Sequence, residues 1–289
     1  FPLRSLASLG EVVIRGTRPR YEILSSRAGG IDVPAERVKS MPALLGEADL
    51  VKTLQQLPGV AVGTEGMTGL YVRGGGADEN LYLLDGNPVY HVNHLLGFFS
   101  AFNPDAIKNT RFYKGSFPAE YGGRLSSVVD VRMNDGNRQE YHGNISVGLL
   151  SARANLEGPI VKDRSSFNVS VRRTWLDLIT GTALAVVNKN SSIKDVFGYH
   201  FFDINAKLNH SFSDRSRAYL SFYMGQDAFR QGSKEKNGDS EDMFLWRWGN
   251  LIGSAGWNYV FGQKLFGNLM VGYSRFRSHI RQEVGGYEI

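Results

Sequence analysis

Beyond residue 141, apolar and polar side chains alternate with a period of two in one segment after another. Ile145, Val147 and Leu149 oppose Asn144, Ser146 and Gly148; Ala152, Ala154 and Leu156 oppose Arg153, Asn155 and Glu157; Phe167, Val169 and Val171 oppose Asn168, Ser170 and Arg172. The cleanest case sets Phe202, Ile204, Ala206 and Leu208 against Asp203, Asn205, Lys207 and Asn209. Ala218, Leu220, Phe222 and Met224 then oppose Tyr219, Ser221 and Tyr223. Successive strand side chains point to opposite faces, so each segment is a strand with one apolar face. Segments 251–259 and 265–273 keep the period less strictly, and Trp246 and Trp248 fall out of phase with Leu251, which predicts a bulge there.

The connections alternate in length. Those at 159–164, 213–216 and 261–264 are short, whereas 181–197 and 230–242 are long and polar. An up-and-down barrel puts short turns on one side of a membrane and long loops on the other. Trp175, Tyr199, Phe212, Trp257 and Tyr259 fall near strand ends, where interfacial aromatic girdles belong. A soluble sandwich also alternates, with its apolar face packed inward. The persistence of the apolar face, the unequal loops and the terminal aromatics together favour a transmembrane β-barrel, of which the chain supplies about seven strands.

Before residue 141 the texture differs. Leu50, Val51, Leu54 and Leu57 share one helical face over 47–57, and Pro58-Gly59 stops that helix. Short strands are predicted at 69–72, 81–84, 111–113 and 126–131, with a turn at Asp85-Gly86 and a short helix beginning at Asn103-Pro104-Asp105. A mixed α/β unit with glycine-rich loops results. Residues 1–20 have no helical period; the β-prone stretch there is EVVIRG, residues 11–16, on a tether. The expected organisation is a tether over 1–20, an α/β domain over 21–140 and barrel strands over 141–289.

Composition narrows the function classes. Hydrophobic residues make up 42% and charged residues 21%, as in folded protein, while 34 Gly, 13 Tyr and 17 Phe suit β-structure with many turns. The net charge of +5 comes from scattered Lys and Arg without a basic helix or basic-aromatic motif, so nucleic acid is not an expected partner. There is no cysteine, hence no disulfide, thiolate nucleophile or Cys-based zinc site. No run reaches the ~20 apolar residues of a membrane helix, which leaves a barrel open. The opening FPLRSLASLG has no apolar core of a signal peptide, so an exported protein would already have lost its leader. Gly74-Gly75-Gly76 belongs to no phosphate-loop pattern; His91 and His94 have no carboxylate close in sequence, and Asp78, Glu79 and Asp85 lack the EF-hand order. With no GxSxG elbow either, neither catalytic chemistry nor a cofactor is expected.

Four segments carry a resemblance: LPGV at 57–60, YVRGGG at 71–76, LYLLDGNPVY at 81–90 and FYKGSFPAEYGGRLSSVVDVR at 112–132. They resemble the plug of the TonB-dependent receptors of Gram-negative outer membranes. Residues 156–179 are similar to the first periplasmic turn and following strand of Bacteroidetes-type members. The resemblance implies a barrel of about 22 strands in the full protein, filled by the plug. It also implies import of a scarce nutrient (siderophore, cofactor, glycan or peptide) driven through TonB with ExbB and ExbD, and it admits a surface lipoprotein partner. EVVIRG resembles the TonB box, which would make Glu11, Val12, Val13 and Ile14 the TonB-binding residues, by strand addition. By position, the plug's apical loops are 63–68 and 91–98, giving Glu65, Met67, His91, Asn93 and His94 as candidate ligand contacts. Arg73, Asp85 and Arg124 are expected to hold plug loops or tie plug to barrel. The alternatives are a receptor-derived docking scaffold and a soluble carbohydrate-binding β-module.

Overall fold

The computed structural model describes residues 30–42, 46–64, 66–235, 241–285 and 287–288. β1 (Gly30–Pro34), α1 (Ala35–Ser40) and α2 (Leu50–Gln55) open the first unit. Asp49 starts α2 by accepting the Lys52 N–H at 3.0 Å, as an N-cap does. Leu50, Val51 and Leu54 are fully buried, and Gly59 takes the left-handed conformation just past the helix. There follow β2 (Val60–Ala61), β3 (Tyr71–Val72), β4 (Asn80–Leu84), β5 (Asn87–Pro88), β6 (Asn93–His94), β7 (Phe99–Ser100), β8 (Ile107–Tyr113) and β9 (Ser127–Met133).

Five of these strands form a sheet in the order β1-β8-β9-β4-β5, with β4 and β9 parallel and the other pairs antiparallel. β9 lies at the centre and is buried at every residue except Arg132, which explains its nearly continuous apolar run. Its Val129 and Val131 pack with Val33, Val38, Leu54 and Phe112 in one core. No helix forms at Asn103. The Asn103 side chain instead accepts the Asp105 N–H at 3.1 Å and its carbonyl accepts the Ala106 N–H, giving a turn in place of the expected helix.

The second unit is one antiparallel meander: β10 (His142–Val147), β11 (Ser151–Val161), β12 (Ser165–Thr174), then α3 (Leu176–Val187), β13 (Ile193–Ser213), β14 (Ser216–Glu235), β15 (Glu241–Val260), β16 (Phe266–Val284) and β17 (Tyr287–Glu288). The alternation of the sequence is an alternation of faces. Asp203, Asn205, Lys207 and Asn209 are buried against the first unit, while Leu208, Leu220 and Phe222 are 45%, 57% and 40% exposed on the other side.

Four further expectations are corrected. The 181–197 connection is not a polar loop: it holds the second half of α3, up to Val187, and from Ile193 the start of β13, beside which α3 runs. Strand character after Thr174 is likewise replaced by this helix. The 230–242 connection is mostly hairpin, since β14 and β15 pair as far as Lys234 and Glu241. Finally, no bulge occurs at Trp246 and Trp248: the register of β15 with both neighbours runs unbroken there. These tryptophans point inward with Asn250 and Ile252, because Phe99 of the first unit, together with Tyr199 and Phe201 of β13, offers them an aromatic cluster.

Candidate functional site

The inner face of the meander and the first unit meet in a buried ionic seam. Arg172 on β12 is 1% exposed and donates to Glu47 Oε1 at 2.5 Å, to Asp203 Oδ2 through Nε at 2.7 Å and to the Ser100 carbonyl at 2.8 Å. Its guanidinium lies over the Phe201 ring. His94 of β6 stacks on the same Phe201 ring, with ring planes 4° apart. Its Nδ1 is 2.7 Å from Asp227 Oδ2 and its Nε2 is 2.9 Å from Asp203 Oδ1. A histidine donates from both ring nitrogens only as the cation. Burial alone would lower the His94 pKa, but Asp203 and Asp227 outweigh it and push the value up to about 9.

Further bonds close the seam. Ser151 donates to Glu47, Tyr199 to Asp227, the Leu95 N–H to Tyr199, and Tyr223 to Asp203. Asp49, besides capping α2, accepts the Ser100 N–H at 2.5 Å. A second ionic group lies toward the short-turn end: Lys207 bridges Asp85 at 3.2 Å and Asp135 at 3.1 Å, and Lys108 and Arg217 also reach Asp135. Burial would raise the Asp135 pKa; the charges of Lys207 and Lys108 prevail and hold it well below the usual carboxylate range. Glu47, Arg172, Asp203, Asp227, Asp85 and Lys207 each face an opposite charge, and Asp49 is held by backbone N–H groups, the conditions under which such groups persist away from water.

The two expected apical loops are brought together. Thr68 Oγ1 lies 2.7 Å from Asn93 Oδ1 and 2.8 Å from the Gly97 carbonyl, sharing its one proton between them, and the Thr68 N–H also donates to that carbonyl. Gln55 of α2 holds the first loop through the carbonyls of Met67 and Gly69. His91 is anchored by its backbone to Asn250 and packs beside Trp248 and Phe276; burial lowers its pKa. Leu95 and Leu96 both take left-handed φ, +49° and +53°, ahead of Gly97 at +104°. Leu96 and Phe98 nevertheless stay exposed, at 57% and 41%.

Against the sequence-based candidates, Met67, His91 and Asn93 fall in this joined pair of loops, whereas both nitrogens of His94 are taken by carboxylates and none remains for a ligand. Asp85 is buried, bonding the Met133 N–H and Lys207. Arg73 and Arg124 are exposed and reach no barrel strand among the described residues; Arg124 touches only the neighbouring Gly123 carbonyl. Glu11, Val12, Val13, Ile14 and Glu65 lie outside the described residues. Among the described residues no group of His, Asp and Glu is arranged to hold a metal ion. The seam residues Glu47, Arg172, Asp203 and Asp227 carried no signal as a set; charged residues in the middle of the polar strand face were the trace they left.

Residues 33–129 match the family described as the TonB-dependent Receptor Plug Domain. Several solved structures share the fold. The copper transporter OprC aligns at 11% identity over 88% of this chain and 46% of its own, with a TM-score of 0.51. A mutant of the ferric enterobactin receptor of Pseudomonas aeruginosa, in complex with enterobactin, gives 17% identity, 89% and 47% coverage and a TM-score of 0.50. The ferric citrate transporter FecA, unliganded, gives 12% identity, 91% and 49% coverage and a TM-score of 0.50. The chain thus spans about half the length of the solved structures it matches. No curated protein sequence matches it. Residues 33–129 of the first unit thus match a TonB-dependent receptor plug domain, and the meander has the fold of part of the barrel in these solved structures.

Proposed function

We propose that this chain is the plug and leading barrel portion of a receptor that captures a scarce nutrient at the surface of a Gram-negative cell and passes it inward with energy from TonB, ExbB and ExbD. The observation that carries this reading is the plug itself, matched over residues 33–129 and fastened to the inner wall of the barrel strands by the Glu47–Arg172–Asp203–His94–Asp227 seam. A plug held by charges, and not only by apolar contact, can be both tight and releasable, as gated passage requires.

Within that reading, residues 11–16 offer a TonB-dependent handle by strand addition, and the joined loops bearing Glu65, Met67, His91 and Asn93, with exposed Leu96 and Phe98, face the ligand. His94 serves as a tie between plug and wall. The solved structures that this chain resembles include a copper transporter, a ferric enterobactin receptor and a ferric citrate transporter, which makes a metal or its chelate the first class to try. A Bacteroidetes-type origin rests on residues 156–179 alone.

The test is a titration of the TonB C-terminal domain against the complete protein with and without residues 11–16. Saturable binding that disappears with the segment supports the receptor; equal binding, or none in either form, favours the docking scaffold.

A further inference from the structure

The outer face of the barrel strands changes character along one line. Outward side chains are apolar up to Phe202 on β13, Met224 on β14, Leu251 on β15 and Tyr273 on β16. Their orientation is fixed by the opposite residues of β16, which meet the plug: Ser274 donates to the Pro88 carbonyl and Phe276 packs beside His91. In the register, Phe202 is level with Gln226, Gly249 and Arg277, so the boundary descends along the strands from β13 to β16. Membrane-barrel strands tilt by about 35–45°, and a boundary that steps in this way marks a single depth. The long-connection side of that line is the outer leaflet.

Immediately beyond it the wall is basic. Arg247, Arg275, Arg277 and His279 line an outward groove of about 480 Å³ whose apolar residues include Met224 and Leu251. Arg230 stands on the same face of β14, two residues beyond Ala228. Arginines of the inner face, such as Arg153 and Arg172, have carboxylate partners at 2.8 Å or less. Outside, Arg173 is paired with Asp177 and Arg281 with Glu283, but among the described residues no carboxylate pairs with Arg230, Arg247, Arg275 or Arg277. A cluster of guanidiniums beside a bilayer, without counter-charge among the described residues, is matched by an anion from the bilayer. The guanidinium fork matches phosphate oxygens in pairs.

We propose that this groove binds the phosphate groups of an anionic outer-leaflet lipid, whose acyl chains then descend over Leu251, Phe222 and Val271. The site rests on the barrel reading above, yet it is separate from nutrient uptake. It would fix the depth and tilt of this wall in the membrane. Inorganic phosphate, lacking chains to cover the apolar part of the groove, should bind weakly.

The experiment uses the complete protein folded into phosphatidylcholine vesicles containing diphosphorylated lipid A, dephosphorylated lipid A or neither, with inorganic phosphate as a further arm. Lipid retained through detergent washing is counted, and heat-modifiable migration on gels reports barrel insertion. Diphosphorylated lipid A should be retained at least roughly tenfold better than the dephosphorylated form, and the advantage should vanish in the R247Q/R275Q/R277Q variant. Equal retention of both lipids by the wild type, or competition by inorganic phosphate at the same concentration, overturns the site without recourse to any variant. A protein that inserts but ignores phosphate loses the lipid site alone; one that never inserts loses the barrel reading as well.

Discussion

His94 of the plug donates through Nε2 to Asp203 of the barrel wall at 2.9 Å, and through Nδ1 to Asp227 at 2.7 Å. The plug therefore contributes a cation to a pocket whose carboxylates belong to two adjacent strands, β13 and β14. Since Arg172 joins Asp203 to Glu47 just before α2, a displacement of this histidine would be felt both along the wall and at the plug's second helix.

This arrangement predicts a pH dependence. The His94 pKa in the folded state, about 9, lies above the ordinary histidine value of 6.5. Its stabilisation is then complete below 6.5 and is lost as pH rises through about 9. Urea-induced release of the plug, followed by a fluorophore on that domain, should become easier over this interval. His94→Gln should lose about 3 kcal/mol at the acidic end, the range expected when one partner of a buried pair is removed, and should lose the slope. An unchanged slope in the variant would assign the titration to another group.

The lipid-facing side is tested by contrast along one strand. Phe222 is exposed on the apolar band, so Phe222→Arg should cost roughly 2–4 kcal/mol in a bilayer, as a cation near the midplane does. Gln226→Arg, on the same face but beyond the apolar boundary, should cost about 0–1 kcal/mol. Folding titrations in vesicles measure both. Comparable penalties would mean that the boundary between Met224 and Gln226 is misplaced.

Much of this fold was legible in particular residues. The run from Phe202 to Asn209 announced its strand and both its faces, because water-like and lipid-like surroundings on opposite sides impose a period of two. Leu50, Val51 and Leu54 announced their helix because the core demands one apolar stripe. α3 escaped notice since it buries no residue completely and carries Gly181 mid-helix, so neither stripe nor caps marked it. The tryptophan pair misled for a physical reason: the inner wall is polar only where the plug is polar, and opposite Phe99 it is aromatic. The seam was unreadable because Glu47, His94, Arg172, Asp203 and Asp227 come from five distant points and acquire meaning only when plug and wall meet.

The tether gives a test of energy coupling that leaves the seam untouched. Val13→Pro removes one backbone donor from EVVIRG and blocks pairing along that edge. Ligand should still bind to whole cells, while accumulation in the periplasm should fall to the level seen without TonB. Full accumulation by this variant would show that residues 11–16 are not where force is applied.

Leu96 provides the test of the apical loop. A non-glycine residue in the left-handed region is strained by contact of its Cβ with the following carbonyl, and here two leucines in succession bear it, at φ +49° and +53°. Such strain is retained where a surface is held for a purpose, and Leu96 is also a large apolar side chain 57% exposed at that point. Leu96→Gly should stabilise the plug by about 1 kcal/mol, because glycine adopts this φ without the Cβ penalty. The same change removes the apolar contact and slackens the loop that Thr68 ties to Asn93 and Gly97. Uptake of the nutrient should therefore decline while the barrel folds normally. A gain in stability with undiminished uptake would make the strained turn purely architectural and move ligand contact to the barrel's own loops.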